Sequence, residues 1–260
     1  MFLSRLEEGV ARSQSWLCVG LDPRAGEIPA SFGGTARGML RHLKRLVDST
    51  EPRAAAYKAN LAFYLSWGPP GLRVLSRIVE YIHASAGCPV ILDGKWGDIA
   101  STAAAYAAAA ERLGVDAVTS SVYMGQDAVT PLLEKGLFVF VLALPSNPAS
   151  RGVVDHGEPP LYLEVTSLAV EMERQYPGLV GLVVGATRSA AAGRVYQAAP
   201  HLPWLVPGVG TQGGDLARIL GAAPGHLVLV NVSRAVAGAA DPAASAHELA
   251  DRIQSAKETG

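Results

Sequence analysis

The residues best able to do chemistry cluster in ILDGKWGDIAST, Ile91–Thr102. Asp93 and Lys95 stand two positions apart at the end of an apolar run. Strand side chains alternate between faces, so both should point the same way. Opposite charges brought together at a strand end are costly for stability and make a site hypothesis. A purely structural ion pair is the competing reading. Asp98 lies three residues further on, past the strand end. It fits either a site carboxylate or the N-cap of a helical run starting at Ile99. Lys58, on the preceding apolar run, could reach the same space or snorkel at the surface.

A second cluster is PGVGTQGGD, Pro207–Asp215. Gly208, Gly210 and Gly213 fall between a strand candidate and a helix candidate, a spacing that superficially fits a dinucleotide fingerprint. That reading needs an acidic residue about 20 positions on, at the end of the next strand. The sequence offers Asn231, Val232, Ser233 and Arg234 instead. Glycines that let backbone N–H groups approach an anion, with Gln212 and Arg234 as further donors, fit a phosphate site better; a plain glycine turn is the bland alternative. The six histidines (His42, His83, His156, His201, His226, His247) show no ligand spacing, and no nucleophile elbow is present, so no metal site is expected.

These residues need a frame that brings strand ends together. Strand candidates are Trp16–Leu21, Ala54–Asn60, Pro89–Lys95, Ala117–Tyr123, Leu137–Leu144, Gly181–Gly185, Trp204–Val209 and His226–Val232. Several are nearly continuous Val, Leu and Ile, as parallel strands covered on both faces should be. Helix candidates alternate with them: Arg37–Ser49, Gly71–Ser85, Ile99–Leu113, Gln126–Glu134, Leu161–Gln175, Ser189–Ala198, Asp215–Leu220 and Ala243–Lys257. This alternation predicts an α/β fold, a (β/α)8 TIM barrel forming one domain over residues 1–260, with chemistry at the C-terminal strand ends. Asp22, Lys58, Asp93, Lys95, Ser146, Asn147 and Arg234 all fall there. The segment 145–160 has four prolines and no periodicity, and a loop that long suggests an active-site lid.

Composition narrows the class. Of the 260 residues, 49% are hydrophobic and only 17% charged, with a net charge of −1, so no field draws nucleic acid or an anionic membrane. Cys18 and Cys88 lie in apolar runs and read as buried, reduced thiols. The first residues lack the apolar core of a signal peptide, and no stretch approaches the ~20 apolar residues of a membrane span. A cytoplasmic location is expected.

The Asp93, Lys95, Asp98, Ile99 and Thr102 pattern resembles the signature of orotidine 5′-phosphate decarboxylases. LCVGLDPR (Leu17–Arg24) and YKANLAFY (Tyr57–Tyr64) resemble the first two strands of that family, and SNPAS (Ser146–Ser150) its base-reading loop. VPGVGTQGGD and VNVSRAV resemble its phosphate loops, and the spacing suits the bacterial branch with a longer strand-five loop. Two positions depart from the pattern: Trp96 follows the lysine in place of a polar or basic residue, and Leu144-Pro145 precedes Ser146 in place of a threonine-like one. Trp96 should face away from Lys95 and affect packing.

The resemblance implies decarboxylation of orotidine 5′-monophosphate to UMP and CO2, the last step of de novo pyrimidine synthesis, without metal or cofactor. It assigns Lys95 as carbanion stabiliser and proton donor, within a network with Asp93, Lys58 and Asp98. It implies that Asp22 and Lys58 hold the ribose, Ser146 the pyrimidine, and Gln212, Ser233 and Arg234 the phosphate. It further implies a homodimer in which Asp98, Ile99 and Thr102 reach a second subunit's site. Competing activities on the same scaffold are a Mg2+-dependent sugar-phosphate lyase and a Schiff-base aldolase using Lys58 or Lys95. A nucleotide-binding barrel without turnover is the non-enzyme alternative.

Overall fold

The structure is a computed structural model that describes residues 2–209 and 214–258. Eight parallel strands close into a barrel in sequence order: β1 (Leu17–Gly20), β2 (Ala56–Asn60), β3 (Val90–Trp96), β4 (Ala117–Ser120), β5 (Phe138–Leu144), β6 (Val180–Val184), β7 (Trp204–Val206) and β8 (Val228–Val232). Cys18 pairs with Ala56 on one side and Asn231 on the other, which closes the ring. The helices are α1 (Phe2–Ser13), α2 (Ala36–Thr50), α3 (Leu61–Leu65), α4 (Pro69–Ser85), α5 (Ala100–Leu113), α6 (Thr130–Glu134), α7 (Arg151–Val154), α8 (Leu161–Gln175), α9 (Ser189–Ala198), α10 (Gly214–Gly221), α11 (Arg234–Ala237) and α12 (Pro242–Glu258). The expected (β/α)8 architecture is therefore present.

Local sequence explains the main helices. Thr35 caps α2 by accepting the Gly38 N–H at 3.1 Å, and Met39, Leu43, Leu46 and Val47 form its buried stripe. Prolines at the first positions of α4 follow Gly68, where a missing N–H is harmless. In α5 the alanine run is a plain helix: Ala103, Ala107 and Ala110 lie against the barrel, and Gly114 ends it in the left-handed region at φ 72°.

Two apolar layers result. Outward strand residues meet the helices in the larger core, whereas the barrel lumen holds Cys18, Ala56, Ile91, Ala117, Phe138, Phe140, Val183, Leu205 and Leu229. Small residues from β1, β2 and β4 leave room for the two phenylalanines of β5. The bottom of the lumen is plugged by α1: Phe2 packs on Phe138 and Phe140 at 4.5 and 5.6 Å between ring centres, with Leu6 beside it. The fit is close, since a Cβ on Gly9 would fall 2.4 Å from the Ala55 carbonyl oxygen.

Several boundaries differ from expectation for identifiable reasons. Strand seven stops at Val206 because Pro207 has no N–H for the ladder. Strand four stops at Ser120, and Tyr123 stands 84% exposed. The expected helix Gln126–Glu134 splits into a 3-10 turn, Gln126–Ala128, and α6, with a proline in the first turn of the latter. Residues 145–160 contain a 3-10 turn (Pro148–Ser150) and α7 in a segment expected to be irregular. The helices α1, α3, α7 and α11 are additional; α1 closes the bottom, and the other three are one turn long. Both cysteines are free and buried, as expected.

Because the plug lies at the end of the lumen opposite the C-terminal strand ends, it should contribute to stability and not to the chemistry. Truncating the fully buried Leu6 to alanine should destabilise by about 2–4 kcal/mol. Thermal unfolding should report that loss while kcat of the folded fraction stays at the wild-type value.

Candidate active site

At the C-terminal end of the barrel, Asp93 joins two lysines. Its Oδ2 accepts from Lys58 Nζ at 2.9 Å, and its Oδ1 accepts from Lys95 Nζ at 2.6 Å and from the Thr119 hydroxyl at 2.8 Å. Lys58 is only 4% exposed, so it is not a snorkelling surface lysine. The Lys95 side chain is 51% exposed and forms the open side of the group. Asp22 is at the end of β1, and its Oδ1 accepts the Asn60 N–H at 3.3 Å.

Simple strand alternation is not what aims Lys95. Leu92 pairs with Val118 but Trp96 pairs with Ser120, so four steps along β3 match two along β4. The extra length is a bulge, and bulges re-aim side chains at barrel rims. Lys95 sits in it with φ 49°, a left-handed conformation costly for a lysine, by about 1–3 kcal/mol. Three contacts from β4 and the residue after it hold it: the Lys95 N–H donates to Thr119 Oγ1 at 2.9 Å, while the Trp96 carbonyl accepts from the Ser120 hydroxyl and the Ser121 N–H at 2.7 and 2.6 Å. Asp93 and Lys95 do meet on one side, as expected, but through this distortion. Trp96 turns away, 8% exposed, and stacks on Tyr106 with ring centres 4.9 Å apart.

The electrostatics follow from burial and pairing. Burial alone would raise the Asp93 carboxyl, but the two ammonium groups and their hydrogen bonds outweigh it and hold it at about 2. Burial alone would lower Lys58, yet Asp93 and then Asp22 raise it above its ordinary value. Lys58 therefore stays charged. That disfavours its use as a neutral amine in Schiff-base chemistry, which needs a lowered lysine.

The other expected site residues occupy the same rim. Asp22 and Arg234 line one cavity of about 230 Å³, together with Arg24 and His42. Ser233 packs on β1, where a Cβ on Gly20 would lie 2.6 Å from its own Cβ. Ser146 lies between the ends of β6 and β7: a Cβ on Gly185 would fall 2.7 Å from its Cα, and one on Gly208 2.9 Å from its Cβ. Gly208 also adopts φ 84°, so backbone and space both require glycine there. Gln212 lies outside the described residues.

Asp98, Ile99 and Thr102 are placed differently. Asp98 accepts the Ile99 N–H at 2.8 Å and makes no ion pair with Lys58 or Lys95 of its own chain. It is not the N-cap of α5 either, because Ile99 holds that position without a side-chain bond. Ile99 is 51% exposed, and Thr102 is half-buried in the first turn of α5. Among the described residues no three His, Cys, Asp or Glu side chains gather as a cation site. No described helix is long and apolar enough to cross a membrane.

Comparison with known proteins bears on the chain as a whole. Residues 15–249 match the Orotidine 5′-phosphate decarboxylase / HUMPS family. The chain belongs to this family. The orotidine 5′-phosphate decarboxylase of Herpetosiphon aurantiacus is 40% identical over 242 residues, covering 91% of this chain and 89% of that protein. That of Thermomicrobium roseum is 42% identical over 250 residues, covering 90% and 86%. The structure of Leishmania donovani OMP decarboxylase superposes with a TM-score of 0.88 at 41% identity, over 100% of this chain and 99% of that one.

Within this family frame, sequence reasoning missed Thr119 and Asn60. Thr119 was legible: a polar residue near the end of an apolar strand is the same signal that picked out Asp93. Asn60 was hidden because its backbone N–H, not its side chain, meets Asp22.

The depressed Asp93 carboxyl gives a pH prediction. Its unfolded value is near 3.8 and its folded one about 2, so its contribution is complete above pH 4–5 and is lost as pH falls through 2. The difference amounts to about 2 kcal/mol. Stability measured by denaturant titration from pH 5 to 2 should fall less steeply in Asp93→Asn than in the wild type. At pH 7 that variant should be less stable, by about 3 kcal/mol, because it leaves the buried Lys58 charge without its main partner.

Proposed function

We propose that the chain converts orotidine 5′-monophosphate to UMP and CO2, the last step of de novo UMP synthesis, with no metal or organic cofactor. The observation that carries this reading is the buried Asp93 carboxylate fixed between the Lys58 and Lys95 ammonium groups at the barrel mouth. Loss of CO2 from C6 of the pyrimidine leaves an electron pair in the ring plane, outside the π system, so ordinary electron sinks cannot take it. A pre-aimed ammonium can. Lys95 is the open cation of the group, stabilises the developing carbanion at C6 and then donates its proton there. Asp93 keeps Lys95 charged and aimed, and repels the substrate carboxylate when it lies close. Lys58 neutralises Asp93 from below.

The remaining assignments extend this reading around the rim. Asp22 and Lys58 hold ribose hydroxyls, Ser146 reads the base, and Ser233, Arg234 and Gln212 bind phosphate. Phosphate binding, remote from the bond broken, supplies energy for ordering the segment 145–160 as a lid over a single-domain barrel. Asp98, Ile99 and Thr102 act in the site of a second copy, so the working unit is a homodimer. Two features support that: Asp98 pairs with no cation among the described residues, and Leu65, Leu72, Ile99, Tyr123 and Met124 are exposed on segments after β2, β3 and β4. Exposed large apolar side chains on successive strand-end segments suit a contact surface. The enzyme works in the cytoplasm.

Lys95→Ala should abolish UMP formation, followed by absorbance in EDTA-treated buffer, while a UMP-like ligand still binds; near-normal turnover would exclude the assignment. Mixing Lys95→Ala with Asp98→Ala subunits should restore part of the activity, since heterodimers contain one site with both residues intact. Confirmed mixing without recovery would rule out the shared site.

A further inference from the structure

The loop after β6, residues 185–189, touches the strand-five segment at two separated points. At the near end, the Gly185 N–H donates to the Leu144 carbonyl at 2.7 Å and the Thr187 hydroxyl to the Ser146 carbonyl at 3.1 Å. At the far end, Arg188 pairs through Nη2 with Asp155, immediately past α7. The same loop also reaches strand seven, where the Ala186 N–H donates to the Pro207 carbonyl at 3.1 Å. Three elements of the rim therefore meet at residues 185–188.

Arg188 is unusual among the cations of the described chain. Its side chain is 8% exposed, whereas Asp155 is 41% exposed, and its Nη1 is buried without a hydrogen-bond partner. A buried guanidinium with one half-exposed partner is a poor stabilising device, because desolvation offsets most of the attraction. A hydrophobic side chain of similar volume would pack as well. What the charge adds is direction: it specifies where Asp155, and with it α7, must lie relative to Ser146.

We propose that Arg188 is a positioning residue for the decarboxylation. Through Asp155 it latches the far end of the strand-five segment to the loop that supports Ser146, so that the segment is anchored at both ends before substrate binds and only the stretch between is left for phosphate binding to order. This rests on the decarboxylase reading of the same mouth. The latch acts on substrate capture; Lys95 and Asp93, held by contacts from β2, β3 and β4, keep their geometry without it.

The experiment uses the full chain with Arg188→Met, Asp155→Ala and the double variant, comparing kcat, KM for orotidine 5′-monophosphate, and ligand-free amide exchange over residues 147–157. Asp155→Ala should raise KM about tenfold, change kcat less than about threefold, and speed exchange across the segment. Arg188→Met should do the same, and the double variant should be no worse than Asp155→Ala alone, because the two residues act as one unit. Additive effects, unchanged KM and exchange, or a lowered melting temperature with intact KM would each overturn the proposal. Because Asp155 is half-exposed, its variant keeps the test open should Arg188→Met fail to fold. A wild-type chain that does not convert orotidine 5′-monophosphate would refute the decarboxylase reading instead, and the exchange comparison would still decide whether the latch exists.

Discussion

The Asp93 carboxylate, held by Lys58 on one oxygen and by Lys95 and Thr119 on the other, is the interaction around which the mouth of the barrel is organised. Each of these side chains would be costly in the interior alone. Lys58 is buried because Asp93 neutralises it, and Asp93 is ionised because two cations outweigh its desolvation. The bulge in β3 exists in the same context. Its left-handed Lys95 is tolerated because β4 takes the freed N–H and carbonyl groups, and the resulting aim places the ammonium beside the carboxylate.

The rest of the fold supplies the rigidity this group requires. The lumen below it is filled from β5 by Phe138 and Phe140 and closed by α1, which gives the charged group a close-packed apolar floor. Around the rim, close backbone approach does the positioning. Gly20, Gly185 and Gly208 give Ser233 and Ser146 space that any side chain would occupy. Two devices thus share the rim: fixed charges on β2 and β3, and glycine-allowed close contacts at β1 and just past the ends of β6, β7 and β8.

Trp96, at a position expected from the resemblance to be polar or basic, stands apart from the charged group. Its ring leaves the mouth and stacks on Tyr106 of α5, filling space over Gly94, where a Cβ would meet the indole at 2.9 Å. The departure changes the packing between β3 and α5 and leaves the Lys95–Asp93 pair intact. Leu144-Pro145 likewise leaves Ser146 at the rim, because the restraint comes from the loop after β6 through Gly185 and Thr187.

The barrel and most of its rim were written locally. Alternating apolar runs and amphipathic segments fixed eight strands and their helices to within a few residues, since burial on both faces demands continuous apolar strands whatever surrounds them. Residue types at strand ends then named Asp22, Lys58, Asp93, Lys95, Ser146, Ser233 and Arg234. Local pattern could not reveal the β3 bulge, because register depends on a hydrogen-bonding partner 24 residues away in Thr119. Nor could it reveal the plug by α1, the burial of Lys58, or the Arg188–Asp155 pair, whose members are 33 residues apart. Asp93, Lys95 and their types belong to the sequence; the tertiary structure alone decides that Lys95 meets Asp93 through a strained, β4-braced bulge, since only packed neighbours can hold a side chain in a conformation its own backbone disfavours.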